Sequence, residues 1–185
     1  MSAISHLALA LTGFYCHFYV KHNVYLFAPS AFLVVIINSL VSIWQLLGQP
    51  FSTQKVNNIY NITSVAQEIL FLPLVTSAVL TKYDFLFDMV FCNIILSSIP
   101  VLFYIIDKNE IGEDLLDGIT ILNCFMLGLV SFMFSNLFGL AASGTYAMNY
   151  FHIRNYQGTI FGFSETDLYN YVLCVFAMCS VQAIK

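Results

Sequence analysis

A single carboxylate, Glu68, stands inside a long apolar stretch of this 185-residue chain, with Gln67 before it and Pro73 after it. A carboxylate within a membrane usually faces protein or a water-filled cavity, and it often belongs to a proton or ion path. We therefore identify Glu68 as a candidate transport-path residue. The alternative is that its helix begins near Ser64, which would put Glu68 in the first turn, close to the lipid headgroups. The absence of an obvious basic partner at the same depth favours this alternative.

Small residues recur every four positions in a later apolar stretch, at Ser131, Ser135, Gly139 and Ser143. This period places them on one face of a helix, and small side chains let membrane helices approach closely. The pattern predicts a helix-packing face. Its partner is either another subunit or the rest of this chain's own bundle.

Asparagines form a third set of polar candidates within the apolar stretches, at positions 38, 93, 123 and 136. In membranes such side chains form hydrogen bonds between helices, each worth roughly 0.6–2 kcal/mol. The alternative is that they line a polar path together with Glu68.

Sequence motifs for catalysis, cofactors and metals are absent. The chain has no P-loop, no Gly-rich dinucleotide loop, no H-E-x-x-H and no nucleophile elbow, and its five cysteines form no C-x-x-C pair. We therefore expect no catalytic residue, no metal site and no cofactor, and the sequence leans toward a protein that is not an enzyme. No cluster of basic residues adjoins an apolar run, so nucleic acid is not an expected partner.

Six apolar runs carry these candidate residues. The chain is 59% hydrophobic and 9% charged, whereas a soluble domain has about 25% charged residues. A membrane-spanning helix needs about 20 apolar residues. The sequence therefore predicts an all-α fold, a polytopic transmembrane bundle of six helices, or five if the first run lies along the surface. The runs are residues 3–20, 24–47, 56–81, 85–106, 118–142 and 168–184, within a single integral-membrane domain over residues 1–185.

The charges lie almost entirely in the short connections between the runs. The loop from Asp107 to Asp117 alone carries the whole net charge of −4, and its acids suit the start of the fifth helix. Aromatic residues at 146–163 are typical of the headgroup layer. With six spans the basic residues divide evenly, so the positive-inside rule indicates no orientation. One side holds Lys55, Lys108 and Lys185, and the other holds Lys21, Lys82 and Arg154.

Little of the chain lies outside these runs. A bundle with so small an extramembrane part, no catalytic motif and a long small-residue face is typical of a packing component. We predict an accessory or structural subunit of a multisubunit membrane complex, without its own catalytic centre, with the lipid bilayer and other membrane subunits as partners. We favour a respiratory-type assembly of the mitochondrial inner membrane over the endoplasmic reticulum. The alternatives are a small transporter or channel using Glu68 and the asparagines, or a lipid-handling protein of the endoplasmic reticulum.

Overall fold

The computed structural model describes residues 3–20, 27–48, 54–107, 113–154, 159–160 and 162–185. Within these ranges, seven α-helices are joined by turns, one π-helical turn and one two-stranded antiparallel hairpin. In chain order these elements are α1 Ala3–Val20, α2 Phe27–Leu47, α3 Gln54–Lys82, α4 Phe87–Asp107, α5 Glu113–Met133, α6 Leu137–Met148, the π-helix Asn149–Ile153, β1 Thr159–Ile160, β2 Phe163–Ser164 and α7 Glu165–Ile184.

Six of these helices, all except α6, are long and apolar enough to cross a membrane. The predicted all-α fold is therefore confirmed, and its six apolar helices indicate an integral membrane protein. Five of the six runs correspond to one helix each. The fifth run does not.

The apolar run at 118–142 was predicted as one helix, and this is wrong. The structure divides it between α5 and α6 at a turn where Ser135 takes a left-handed φ of 53°. Asn136 begins the new helix: its side-chain Oδ1 accepts a hydrogen bond from the Gly139 amide at 3.0 Å. An asparagine N-cap of this kind satisfies an amide that the first turn leaves unpaired. Neither proline nor glycine marks the break, so hydropathy alone does not predict it.

This extra helix reverses the chain between α5 and α7. At the start of α6, Asn136 Nδ2 donates to the carbonyl of Ala183, near the end of α7. At the other end, Asn149 Nδ2 donates to the carbonyl of Tyr169, near the start of α7. The two helices are therefore antiparallel.

Helix α1 runs parallel to α7. Ser5 Oγ donates to Asp167 Oδ1 at 2.7 Å near the start of both helices, and Lys185 Nζ donates to the Tyr19 hydroxyl near the end of both. The first and last described residues thus lie at opposite ends of the bundle. Lys82, whose Nζ donates to the carbonyl of Ala183, shares an end with Lys185. The six-span grouping of Lys185 apart from Lys82 is therefore wrong.

Helix α3 is the most buried of the six apolar helices. Of the residues in its apolar window 61% are buried, against 28% for α4. The Phe71 ring packs edge-on against Phe176 of α7 and Phe32 of α2, with centroid distances of 4.9 and 6.1 Å. Tyr146 of α6 joins them at 4.9 Å from Phe176. Such pairs contribute about 0.5–1.5 kcal/mol each beyond burial, and this cluster lies one helical turn from Glu68.

Candidate functional site

A polar cavity of about 210 Å³ lies among α1, α2, α3 and α7, and Arg154 adds to its wall from just after the π-helix. Along α3 it extends from Tyr60 to Glu68, about 12 Å at the helical rise of 1.5 Å per residue. Its lining residues are His6, Asn38, Tyr60, Ser64, Gln67, Glu68, Arg154, Glu165, Thr166, Tyr169 and Asn170.

Glu68 is the central residue of α3, since 14 residues of the helix precede it and 14 follow it. The alternative in which this helix begins near Ser64 is wrong, because α3 begins ten residues earlier. Glu68 therefore lies about four turns inside the helix. A carboxylate in that position needs a charged or polar partner.

Arg154 is this partner. Its Nη2 lies 2.9 Å from Glu68 Oε1, and the two side chains are 32% and 25% exposed. Glu68 Oε1 is fully buried and receives no hydrogen bond of good geometry, so charge attraction holds the contact. Burial lowers the pKa of Arg154, but the Glu68 carboxylate, Tyr150 and Tyr169 together raise it by more, so the net shift is upward and the guanidinium stays charged.

Helix α6 and the π-helix position Arg154 at the cavity. Tyr146, Tyr150 and Arg154 are spaced four apart; the Tyr146 hydroxyl donates to the backbone carbonyl of Glu68, and the guanidinium lies 4.8 Å from the Tyr150 ring centroid. The Arg154 amide closes the π-turn on the carbonyl of Asn149. Single π-turns recur at functional sites. Both tyrosines are only 2% exposed, so they pack inside the bundle, and their predicted headgroup position stays a prediction.

The wall on the α2 side is a hydrogen-bonded network around Asn38. Its Nδ2 donates to Gln67 Oε1 at 2.9 Å, and its Oδ1 accepts from the hydroxyls of Thr63 and Ser64. Asn38 is 5% exposed and Gln67 is also 5% exposed. Because these amides and hydroxyls bond to one another, they form a fixed polar surface.

The wall formed by α1 and α7 contains His6 and Asn170. Asn170 Nδ2 donates to Ser5 Oγ at 3.1 Å and lies 3.4 Å from His6 Nδ1. Ser164 caps α7, with its hydroxyl accepting from the Asp167 amide. These contacts fix the first turns of α7, where Glu165 reaches the cavity.

The other three asparagines lie away from this cavity. Asn93 Nδ2 lies 3.1 Å from both Ser77 Oγ and Asn123 Oδ1, which joins α3, α4 and α5. Asn136 Nδ2 donates to the Tyr83 hydroxyl at the opposite end of the bundle. Of the four asparagines singled out in the sequence, the structure brings only Asn38 to Glu68.

The four small residues do not share one helix. Ser131 lies in the last turn of α5, Ser135 lies in the turn between the helices, and Gly139 and Ser143 belong to α6. Two of them meet across the α5–α6 hairpin, since a Cβ on Gly139 would lie 2.8 Å from Ser131 Cβ. Ser143 Oγ donates to the Cys124 carbonyl of α5. These contacts lie within the chain, and a contact of the small residues with another subunit stays a prediction.

A larger cavity, of about 360 Å³, lies where α3 begins and α4 ends. Its lining residues are Asn58, Asn61, Ile62, Tyr104 and Ile105, none of which carries a charge at neutral pH. In the described part of the chain, no group of three or more His, Cys, Asp or Glu side chains is placed to hold a metal ion. The cavity beside Glu68 is the stronger candidate because it contains buried charge.

Most of this site could not be recognised from the sequence. Arg154 stands 86 positions after Glu68, and His6 and Asn170 come from opposite ends of the chain. One available signal was that Arg154 is a lone base among aromatic residues. Comparison of the chain with protein-family models, with curated proteins and with solved structures found no match.

Proposed function

We propose that this protein is a small membrane transporter that binds a polar solute in the cavity beside Glu68. The Glu68–Arg154 pair at 2.9 Å, on the wall of a cavity inside an apolar bundle, carries this proposal. Removing two charges from water is expensive, and packing alone is served as well by apolar side chains. Ionisable groups within membrane helices commonly mark a substrate or ion path.

The pair also connects the solute site to the segment that follows α6. Arg154 follows α6 and the π-helix, whereas Glu68 belongs to the central helix α3. A solute that competes for the Glu68 carboxylate weakens the contact with Arg154. This frees the end of the α6 segment to shift against α3, which is the kind of rearrangement that opens a binding site to the other side of a membrane.

The test is uptake into liposomes that contain the purified full chain. The solutes are radiolabelled choline, glycine and acetate, which represent cationic, zwitterionic and anionic classes, and a pH-sensitive dye reports proton flux. We expect uptake of at least one class, reduced at least tenfold by Glu68→Gln. Asp88→Asn, an exposed acid in the first turn of α4, is the matched control and should leave uptake unchanged. Absence of any flux above that of empty liposomes would refute transport.

The remaining functions inferred from the sequence stay predictions. They are an accessory subunit of a multisubunit complex, with the mitochondrial inner membrane as its favoured location, and a lipid-handling protein of the endoplasmic reticulum. Transport takes precedence because the buried ion pair beside a cavity gives it a physical basis.

A further inference from the structure

We infer that the cavity beside Glu68 binds a small organic cation, an ammonium compound of the choline or ethanolamine type. This inference rests on the proposed solute site and names its chemical class.

The ionised side chains of the wall leave an excess of one negative charge. Glu68 and Arg154 neutralise each other at 2.9 Å. The second acid, Glu165, lines the same cavity and has no side-chain partner among the described residues. A wall with two carboxylates and one guanidinium attracts a single positive charge, and it disfavours an anion because the only guanidinium is already paired.

Two tyrosines line the cavity with these acids: Tyr60 on α3 and Tyr169 on α7. Aromatic rings attract ammonium groups through their π-faces, and aromatic cages for quaternary ammonium ligands use this attraction. Tyr60 and Glu165 lie toward the end of the cavity at which α3 and α7 begin. An ammonium group entering from that end meets the unpaired carboxylate and an aromatic side chain together.

A bare metal cation suits this cavity less well. Hard cations need about six oxygen ligands at short distances. Two amide oxygens of the wall are committed, since Asn38 Oδ1 accepts two hydroxyl hydrogen bonds and Gln67 Oε1 accepts one from the Asn38 amide. A volume of about 210 Å³ is also far larger than one ion, whereas it fits a compact organic molecule.

Binding of choline to the full chain in lipid nanodiscs tests this inference. The matched probes are 3,3-dimethyl-1-butanol, which has the shape of choline without its charge, and acetate. We expect choline to bind. Both probes should bind at least about tenfold more weakly, because neither carries the positive charge that the wall attracts. Glu165→Gln and Tyr60→Leu should each weaken choline binding by about tenfold, and Asp88→Asn should leave it unchanged.

The lipid of the nanodisc distinguishes a free solute from a headgroup. Equal binding of choline in phosphatidylglycerol and phosphatidylcholine discs supports a free ammonium solute. Binding that is lost only in phosphatidylcholine discs supports the same ammonium class supplied by a lipid headgroup.

Equal or tighter binding of the neutral or anionic probe would overturn the ammonium assignment and leave the proposed solute site standing. Choline affinity that is unchanged by both Glu165→Gln and Tyr60→Leu would also overturn the ammonium assignment. Conversely, choline binding without flux in the liposome assay would refute transport while the ligand class stands. The two proposals therefore fail by different measurements.

Discussion

At the scale of single residues, the contact between Glu68 and Arg154 dominates the energetics of the site. Both side chains are mostly buried, so each charge depends on the other for compensation. Removal of one partner from a buried pair is far more destabilising than removal of both. This asymmetry allows the pair to be tested independently of any transported solute.

We expect Glu68→Gln and Arg154→Gln each to lower the free energy of unfolding by about 1–3 kcal/mol, between the values for surface pairs and fully buried pairs. The double variant should lose less than the sum of the two single losses, because neither charge is then left unpaired. Thermal or denaturant unfolding in detergent measures all three. Strictly additive losses would show that the pair does not form.

At the scale of elements, the α5–α6 hairpin depends on small residues at its closest approach. The turn itself needs the left-handed Ser135 and the Asn136 cap. Beyond the turn, the two helices are close enough that a Cβ on Gly139 would contact Ser131. This hairpin starts the segment that carries Arg154 to Glu68, so its packing bears on the site.

Two alanine substitutions in α6 separate close packing from helix propensity. Gly139→Ala places a methyl group 2.8 Å from Ser131 Cβ, and we expect it to destabilise the protein by about 1–3 kcal/mol. Gly144→Ala is the matched control because its Cβ would meet nothing within 4 Å. It should be neutral or stabilise by up to about 1 kcal/mol. Equal effects in an unfolding assay would argue against tight hairpin packing.

At the scale of the whole molecule, the additional helix α6 decides where the two ends of the chain lie. The hydrogen bonds that pair α6 with α7, and α1 with α7, put residue 3 and residue 185 at opposite ends of the bundle. Six spans would instead return both ends to one side.

We therefore predict that reporters fused to the N-terminus and to the C-terminus face opposite sides of the membrane. Segment 137–153 has 17 residues, which is near the lower limit of about 17 for a spanning helix. Protease protection of each fused reporter in sealed vesicles provides the measurement. Reporters on the same side would mean that α6 does not complete a crossing.

The predicted role as an accessory subunit concerns the whole molecule and its partners. If it is right, the chain purified in mild detergent should co-migrate with other membrane proteins in native gels and lose stability when separated from them. We would expect a self-contained transporter to migrate alone and to keep its stability after purification. A stable, homogeneous monomer that retains solute binding would exclude the subunit role.

The sequence by itself determined the class of this protein and the approximate bounds of most of its helices. Apolar length and the near absence of internal charge are local properties, and each of five runs became one helix. It also singled out Glu68. The sequence did not reveal the break at Ser135, because hydropathy is continuous there and the turn depends on a cap and on tertiary hydrogen bonds.

Only the tertiary structure decided what surrounds Glu68. Arg154, His6 and Asn170 are brought to it by the order in which helices pack, and no local pattern encodes contacts between residues so distant in the chain. The same packing left Asn93, Asn123 and Asn136 outside the cavity and placed the small residues across a hairpin. A polar residue in an apolar helix indicates that a partner must exist, because burial without one is costly. The identity of that partner is fixed by geometry in three dimensions.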